Sequence, residues 1–164
     1  MQALLSPRGV FFLLFLGSVG AMAFAVLFLQ QGLGLTPCPL CVTQRAFVIL
    51  TGLLALVAAL HNPGRTGRRI YAGLCALAAA GGGAVAARHV WLQHLPEDQV
   101  PACGPGLDYI LDTLPLRDAF SVIMMGDGNC AEELWSFLGL TIPEQTLILF
   151  PGLALVCGWQ LLRR

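Results

Sequence analysis

The chain has 164 residues, of which 57% are hydrophobic and 11% are charged, and its formal net charge is zero. A soluble domain carries about 25% charged residues, so this composition excludes an ordinary soluble protein and indicates a membrane protein. No nucleic-acid partner is expected.

Four apolar segments are long enough to cross a hydrocarbon core about 30 Å thick, at about 1.5 Å of rise per residue. In chain order they are residues 10–29, 42–60, 70–87 and 146–162. Little of the chain is left for a soluble domain. We therefore predict an all-α membrane protein, in which residues 1–164 form one four-transmembrane-helix bundle with external loops at 30–41 and 88–145.

The charged residues are segregated along the chain. All nine acidic residues lie between the third and fourth segments, together with Arg88 and Arg117. Six other arginines lie at the two ends and in the second connection: Arg8, Arg65, Arg68, Arg69, Arg163 and Arg164. Because cytoplasmic loops accumulate positive charge, we expect both termini and the second connection in the cytoplasm and the other two connections outside.

The most informative motif is Cys38-Pro-Leu-Cys41, at the start of the second segment. A helix N-terminus carries a partial positive charge that favours a thiolate, and Pro39 is tolerated in the first turn. Arg45 follows Cys41 by four residues, so it shares the same helix face and adds a full charge. A dithiol, a cation and adjacent lipid indicate electron exchange with a molecule dissolved in the membrane. The alternative role for Arg45 is that of an interfacial anchor.

Cys103 and Cys130 lie in the long external connection, where disulfides persist. The simplest connectivity has two local pairs, Cys38–Cys41 and Cys103–Cys130, although four cysteines permit three arrangements. A tight loop on a helix end is typical of a labile, catalytic disulfide. The longer-range pair is either a structural staple or a second exchange pair.

Three features fall inside the apolar segments. The run Ala78–Ala84 contains only alanine and glycine, so we expect the third helix in the packed interior, where small residues let backbones approach closely. Pro151 predicts a kink or weak point in the fourth helix. Cys75 and Cys157 have no obvious partner and are expected to pack as small apolar side chains.

The external connection contains two helical patterns. Four apolar residues share one stripe of a predicted amphipathic helix: Leu107, Ile110, Leu111 and Leu114. This helix is expected either in the membrane interface or packed on the bundle. Residues 129–139 predict a second short helix, with Asn129 as its N-cap and Gly139 at its end. Cys130 then lies near a helix start, which favours exchange.

The chain resembles the DsbB-type disulfide oxidoreductases, bacterial inner-membrane proteins that reoxidise the periplasmic thiol oxidase DsbA with a quinone. The resemblance rests on Cys38-Pro-Leu-Cys41 followed by Arg45, and on the run from Cys130 to Pro143, CAEELWSFLGLTIP. It covers essentially the whole chain. It implies that the four external cysteines are redox-active and face the periplasm.

The same resemblance implies a route for the electrons. Reduced DsbA would attack the Cys103–Cys130 pair and form a mixed disulfide through Cys103. Cys130 would then exchange with Cys38, which passes the electrons to the Cys38–Cys41 pair.

A quinone site is implied as well. Cys41 would be the thiolate that contacts the quinone, Arg45 would bind and polarise a quinone oxygen, and His89 matches a histidine near the quinone pocket. His94 competes with His89 for that role. The acceptor would be ubiquinone or menaquinone, and no metal is expected.

Three other kinds of protein remain as alternatives. An enzyme like vitamin K epoxide reductase would place its CxxC pair late in the chain, the reverse of the order here. A zinc-binding scaffold would use the four external cysteines, but a second CxxC is missing and the compartment is oxidising. A transporter or receptor would need intramembrane polar residues along a pathway, and the apolar segments contain almost none.

Overall fold

Four long helices form most of the protein in the computed structural model, which describes residues 6–104 and 107–163. They are α1 (Pro7–Ala23, continuing as a π-helical segment Phe24–Gly32), α2 (Pro39–His61), α3 (Arg65–Gln93) and α7 (Ile142–Leu162). Each is long and apolar enough to cross a membrane. The predicted all-α, four-span fold is therefore confirmed, and each helix begins before its predicted span. α7 continues through Pro151 without interruption.

Local signals determine where the helices begin and end. The hydroxyl of Ser6 accepts a hydrogen bond from the N–H of Gly9 at 3.1 Å, ahead of α1. Before α7, the N–H of Thr141 donates to the carboxylate of Glu144 at 2.7 Å, which is one half of a capping box. α2 ends at His61 and is followed by Asn62, which adopts a left-handed conformation with φ of 44°. Because α2 packs against α3 and α3 against α7, the start of α2, the end of α3 and the start of α7 lie at the same end of the bundle.

The glycine- and alanine-rich face of α3 lies in the packed interior, as predicted. The most extensive interface joins α3 to α7, and α2 packs against both α1 and α3. A Cβ atom on Gly82 would overlap the ring of the fully buried Phe150, and one on Gly81 would lie 2.7 Å from the ring of Phe47. Glycine at these two positions therefore admits aromatic rings from two neighbouring helices.

Short elements occupy the segment between α3 and α7. They are a 3-10 turn (Glu97–Gln99), α4 (Leu107–Thr113), α5 (Leu116–Met125), α6 (Gly128–Ala131), β1 (Ser136–Phe137) and β2 (Leu140–Thr141). In the predicted apolar stripe of α4, Ile110 is buried and Leu114 is exposed, while the side chains of Leu107 and Leu111 lie outside the described residues. Arg164, counted among the cytoplasmic charges, also lies outside them.

The helix predicted over residues 129–139 is wrong. α6 ends at Ala131, and β1 pairs antiparallel with β2 around a turn whose residues Leu138 and Gly139 have φ of 54° and 78°. Two residues with positive φ form the tight turn that suits a β-hairpin. The ring of Trp135 stacks on that of Phe137 in β1 at 6.0 Å and also packs against Phe24 of the first helix at 6.1 Å. These aromatic contacts outweigh the local helix signals.

Candidate functional site

The first half of the site is the start of α2. Cys38 is the N-cap residue of the helix, and its sulfur accepts a hydrogen bond from the N–H of Cys41 at 3.3 Å. The two sulfur atoms lie 3.0 Å apart. Cys38 is buried and Cys41 half-buried, and all six cysteines of the chain are free thiols. The motif thus occupies the helix N-terminus that the sequence predicts for it, where the helix dipole favours negative charge.

The second half of the site is Cys130, which α6 carries against the start of α2. Cys130 is fully buried, in an apolar cluster shared with Cys38, Leu40 and Leu92. The thiol of Cys38 donates to the sulfur of Cys41 at 3.0 Å. When it turns instead towards the sulfur of Cys130, it lowers the pKa of Cys130 and raises the pKa of Cys38. Backbone groups of Asp127 and Leu40 also lower the pKa of Cys130. Cys130 is therefore the better nucleophile of the two.

Cys103 lies at the rim and is exposed. Its segment runs along α6, where the N–H of Gly128 donates to the carbonyl of Ala102 at 3.3 Å. A Cβ atom on Gly128 would lie 2.8 Å from the carbonyl oxygen of Pro101 and 3.0 Å from the sulfur of Cys103. The absence of a side chain at Gly128 therefore lets Cys103 approach the helix that carries Cys130. The structure brings Cys38, Cys41 and Cys130 together and keeps Cys103 at the surface.

His89 of α3 lies beneath the three thiols and is 3% exposed. Its Nε2 atom is 3.0 Å from the carbonyl oxygen of Cys130 and 3.7 Å from the sulfur of Cys38. Its Nδ1 atom is 3.0 Å from Nε2 of Gln44. With this amide orientation Gln44 donates to Nδ1, so Nε2 carries the proton and donates to the Cys130 carbonyl. His94, the competing histidine, is exposed at the end of α3 and lies near the carbonyl of Val90.

Gln44 and Thr146 belong to the site although sequence reasoning did not assign them a role. Gln44 is 4% exposed, and its Oε1 atom accepts a hydrogen bond from the Thr146 hydroxyl at 2.6 Å. This chain of contacts connects α7, α2 and α3. The signal in the sequence was a polar side chain in an apolar helix, where an unpaired amide is costly and a partner is therefore expected.

Arg45 extends from α2 towards the π-helical segment of the first helix. Its Nη1 atom donates to Oε1 of Gln30 at 2.8 Å, and Nη2 donates to the carbonyl of Ala25 at 3.2 Å. Two fixed acceptors hold the guanidinium in one orientation, one turn of helix from Cys41.

A mostly apolar cavity lies beside Cys41 and Arg45. It encloses about 640 Å³ of space outside the protein atoms, part of which is open to the surroundings. Its walls come from three helices and include Met22, Ala25, Leu29, Cys41, Gln44, Arg45, Val48, Thr146 and Leu149. A few polar groups on apolar walls are typical of small-molecule sites. The arrangement suits a molecule with a polar ring and an apolar tail.

A second, more polar cleft reaches the thiol pair from another side. It is lined by Thr36, Pro37, Cys38, Pro39, Asp127, Asn129, Glu132 and Leu134. Cys38 borders this cleft and Cys41 borders the apolar cavity, so the thiol pair separates the two openings.

Cys75 and Cys157 pack as small buried side chains, as the sequence predicts, and each also has the other as a neighbour. Both are fully buried in the main core of the bundle, on α3 and α7, and their thiols are within hydrogen-bonding reach of each other. The sulfur of Cys75 also lies 3.9 Å from the carbonyl oxygen of Thr51. The two sulfurs meet because α3 and α7 pack face to face, which hydropathy does not reveal.

Comparison with known proteins gives a consistent result. The family model described as "DsbB: Disulfide bond formation protein DsbB" matches residues 7–160. A "Disulfide bond formation protein B" of Saccharophagus degradans is 52% identical over 97% of this chain and 95% of its own length. The protein of the same name from Stutzerimonas stutzeri is 48% identical over 98% of each chain, and that of Hahella chejuensis is 48% identical over 100% of this chain and 99% of its own.

Proposed function

Because the chain belongs to the DsbB family of disulfide bond formation proteins, we propose that it reoxidises a DsbA-like dithiol of the periplasm and passes the electrons to a membrane quinone. The resemblance drawn from its cysteine motifs is confirmed, and the protein is a thiol oxidoreductase. Its four apolar helices make it a multi-pass membrane protein. In the proposed orientation both termini are cytoplasmic and the four redox cysteines face the periplasm of the inner membrane.

The observation that carries this proposal is the burial of Cys130 against Cys38. A thiolate at Cys130 attacks the sulfur of Cys38 in the Cys38–Cys41 disulfide. A bond forms between Cys130 and Cys38, the bond to Cys41 breaks, and Cys41 leaves as a thiolate stabilised by the N-terminus of α2. The backbone groups of Asp127 and Leu40 that stabilise the Cys130 thiolate and the ready leaving group at Cys41 both favour this direction of exchange.

Cys103 completes the exchange on the protein side. The partner's thiolate attacks Cys103 in the Cys103–Cys130 disulfide, which releases Cys130 as a thiolate. The partner's second thiol then displaces Cys103 and leaves as a disulfide. Cys103 attacks Cys130 in the Cys38–Cys130 bond and restores the first pair. The net result is one oxidised partner and a reduced Cys38–Cys41 pair, with two electrons transferred. The exposure of Cys103 supports its role as the point of attack.

The apolar cavity supports the assignment of a quinone, either ubiquinone or menaquinone, as the acceptor. When bound, a quinone accepts two electrons and two protons and leaves as the quinol. Cys41 borders the cavity and supplies the nucleophilic thiolate, while Arg45 borders it and presents a permanent cation to a developing oxyanion. His89 lies behind the thiols and orients the Cys130 backbone through its Nε2–H group.

The test uses the purified protein with a quinone and reduced DsbA proteins, and follows quinone absorbance. Cys103→Ser and Cys130→Ser are expected to abolish quinone reduction driven by the partner. Each variant, when prereduced, still reduces quinone through Cys38 and Cys41. Cys75→Ala, which removes a thiol outside the site, is the matched control and retains the wild-type rate.

Two further results decide the electron route. A mixed disulfide between Cys103 and the partner should accumulate in the Cys130→Ser variant. If Cys130→Ser oxidises the partner at the wild-type rate, Cys103–Cys130 is a structural staple and the proposed order of exchange is wrong.

A further inference from the structure

The reduced thiols form a cluster of soft ligand atoms with one imidazole. Among the described residues, the sulfurs of Cys38 and Cys41 and a ring nitrogen of His89 all lie within 4.8 Å of one another. Cys38 and His89 are buried, and Cys41 is half-buried. The thiol of Cys130 interacts with that of Cys38, but it does not lie within 4.8 Å of all three of these atoms. Two sulfurs and one imidazole nitrogen supply three of the four donors of a tetrahedral zinc site.

The distances suit a tetrahedral ion. With about 2.3 Å to sulfur and about 2.0–2.1 Å to nitrogen, such an ion separates sulfur from nitrogen by about 3.6 Å. The sulfur of Cys38 and Nε2 of His89 are 3.7 Å apart. Two sulfur ligands of the same ion are about 3.8 Å apart, so the 3.0 Å thiol pair has to open by about 0.8 Å. Small rotations of the two cysteine side chains suffice, since C-x-x-C is a common ligand spacing.

The hydrogen bonds behind His89 accommodate either tautomer of its ring. In the metal-free protein Gln44 donates to Nδ1 and accepts from Thr146. When Nε2 binds an ion, Nδ1 carries the proton, and a reversed Gln44 amide accepts from Nδ1 and donates to the Thr146 hydroxyl. Thr146 can then donate to the carbonyl of Pro143, which already lies 2.9 Å away. Gln44 thus acts as the outer hydrogen-bond partner that metal-bound histidines require.

We propose that the reduced protein binds one thiophilic divalent cation, such as Zn²⁺ or Cd²⁺, through Cys38, Cys41 and His89, with water in the fourth position. Binding replaces the thiol protons by the ion, while the imidazole proton moves from Nε2 to Nδ1, so it releases the thiol protons and strengthens as pH rises. While the ion is bound, neither thiol of the Cys38–Cys41 pair is available for oxidation. The site therefore traps the reduced state until a chelator removes the ion.

This site differs from the zinc scaffold considered for the sequence. A scaffold holds its metal permanently, whereas Cys38 and Cys41 joined as a disulfide offer no thiolate ligands. Oxidised protein is accordingly expected to bind no ion at this position.

The test is a titration of fully reduced, purified protein with CdCl₂ without oxygen, quinone or partner. The sulfur-to-cadmium charge-transfer absorbance should saturate at one ion per chain, and ZnCl₂ should displace the cadmium. Cys41→Ser and His89→Ala are each expected to weaken binding by at least about tenfold. His94→Ala is the matched control, since this exposed histidine lies outside the cluster and its removal should leave the affinity unchanged.

The contrary results are equally distinct. The proposal would be overturned if the His89→Ala and His94→Ala variants bound cadmium with equal affinity. It would also be overturned if the oxidised protein bound the ion, or if a Cys38→Ser, Cys41→Ser double variant bound it fully. Folding of each variant is checked by the protection of Cys75 and Cys157 from alkylation. The titration involves neither quinone nor partner, so a negative titration would not contradict the proposed electron route. A negative electron-transfer assay would likewise not contradict the metal site.

Discussion

At the scale of single residues, the neighbours of Arg45 fix the orientation of its guanidinium group. Gln30 and the carbonyl of Ala25 hold its guanidinium at the edge of the apolar cavity. An arginine that served only as an interfacial anchor would not require two fixed acceptors beside a reactive thiol. Its planar group instead presents its remaining N–H donors in a constant direction.

We expect Arg45→Leu to raise the Michaelis constant for quinone and slow its reduction, because the oxyanion loses its nearby cation. Removal of one such donor typically costs about 10²–10³ in rate. Arg45→Lys keeps the charge but loses the planar geometry, so an intermediate defect is expected. The measurement is quinone reduction against quinone concentration. Arg88→Leu is the control, since Arg88 lies over Trp91 and does not border the cavity. Equal kinetics for Leu, Lys and Arg at position 45 would make Arg45 an anchor.

The thiol of Cys38 should control the reactivity of Cys130. When Cys38 donates to Cys130 it lowers the pKa of Cys130, so Cys130 forms a thiolate below the usual thiol range. Cys38→Ala removes the donor, and the Cys130 pKa should rise towards its ordinary value of about 8.5. Alkylation of Cys130 against pH, read by mass spectrometry in reduced protein, should then shift to higher pH. Cys38→Ser retains a hydroxyl donor and should restore part of the effect. An unchanged profile in Cys38→Ala would contradict the assigned hydrogen bond.

At the scale of elements, the contact between α3 and α7 depends on the absence of a side chain at Gly82. Gly82→Ala would force the buried ring of Phe150 to move, and overpacking of this kind costs about 1–3 kcal/mol. Gly73→Ala is the control on the same helix, because no neighbouring atom lies within 4 Å of the added carbon. Stability is measured in detergent by the temperature at which Cys75 and Cys157 become reactive to a maleimide. Equal transition temperatures for the two variants would show that the interface can absorb a methyl group.

The close approach of α6 to the segment that carries Cys103 likewise depends on the absence of a side chain at Gly128. Gly128→Ala should push that segment away, because the added carbon would meet the carbonyl of Pro101 and the sulfur of Cys103. We expect slower formation of the Cys103–Cys130 disulfide, with quinone reduction by prereduced Cys38 and Cys41 unchanged. Disulfide formation is followed by peptide mapping after addition of oxidised glutathione. Gly152→Ala is the control, because its added carbon would meet no neighbour. Equal rates of disulfide formation in the two variants would show that the segment tolerates the extra carbon.

The elements also differ in how far the sequence predicts them. Length and hydropathy were sufficient to predict the four spans, because each apolar run in a membrane must form its backbone hydrogen bonds within one helix. The hairpin was not predictable, because Asn129 and Gly139 are ordinary helix-end signals and the deciding contact is made by Trp135 with rings of a distant helix. In the site, the position of Cys38 and Cys41 at a helix start follows from the motif. The meeting of Cys75 with Cys157, in contrast, depends on the rotation of two helices about their axes, and hydropathy carries no such information.

At the scale of the whole molecule, the segregation of charge predicts the orientation in the membrane. The positive residues near the start of α3 should keep that end in the cytoplasm. A membrane-impermeant maleimide applied to spheroplasts should label reduced Cys103 from outside. A cysteine introduced by Thr66→Cys, at an exposed position in the first turn of α3, should react only after lysis. Labelling of that cysteine in intact spheroplasts would reverse the proposed orientation.

The interface between α3 and α7 also sets an order of assembly. Residues 94–141 separate the two helices, so at about 5–20 residues per second the ribosome finishes α3 roughly 2–10 s before it begins α7. During that interval α7 has not yet been synthesised, so it cannot pack against the glycine-rich face of α3. Cys103 and Cys130 are also synthesised before Thr146, the residue that holds Gln44 and, through it, His89. A nascent chain halted before residue 146 would thus carry all four external cysteines without the polar contacts that fix His89 beneath them.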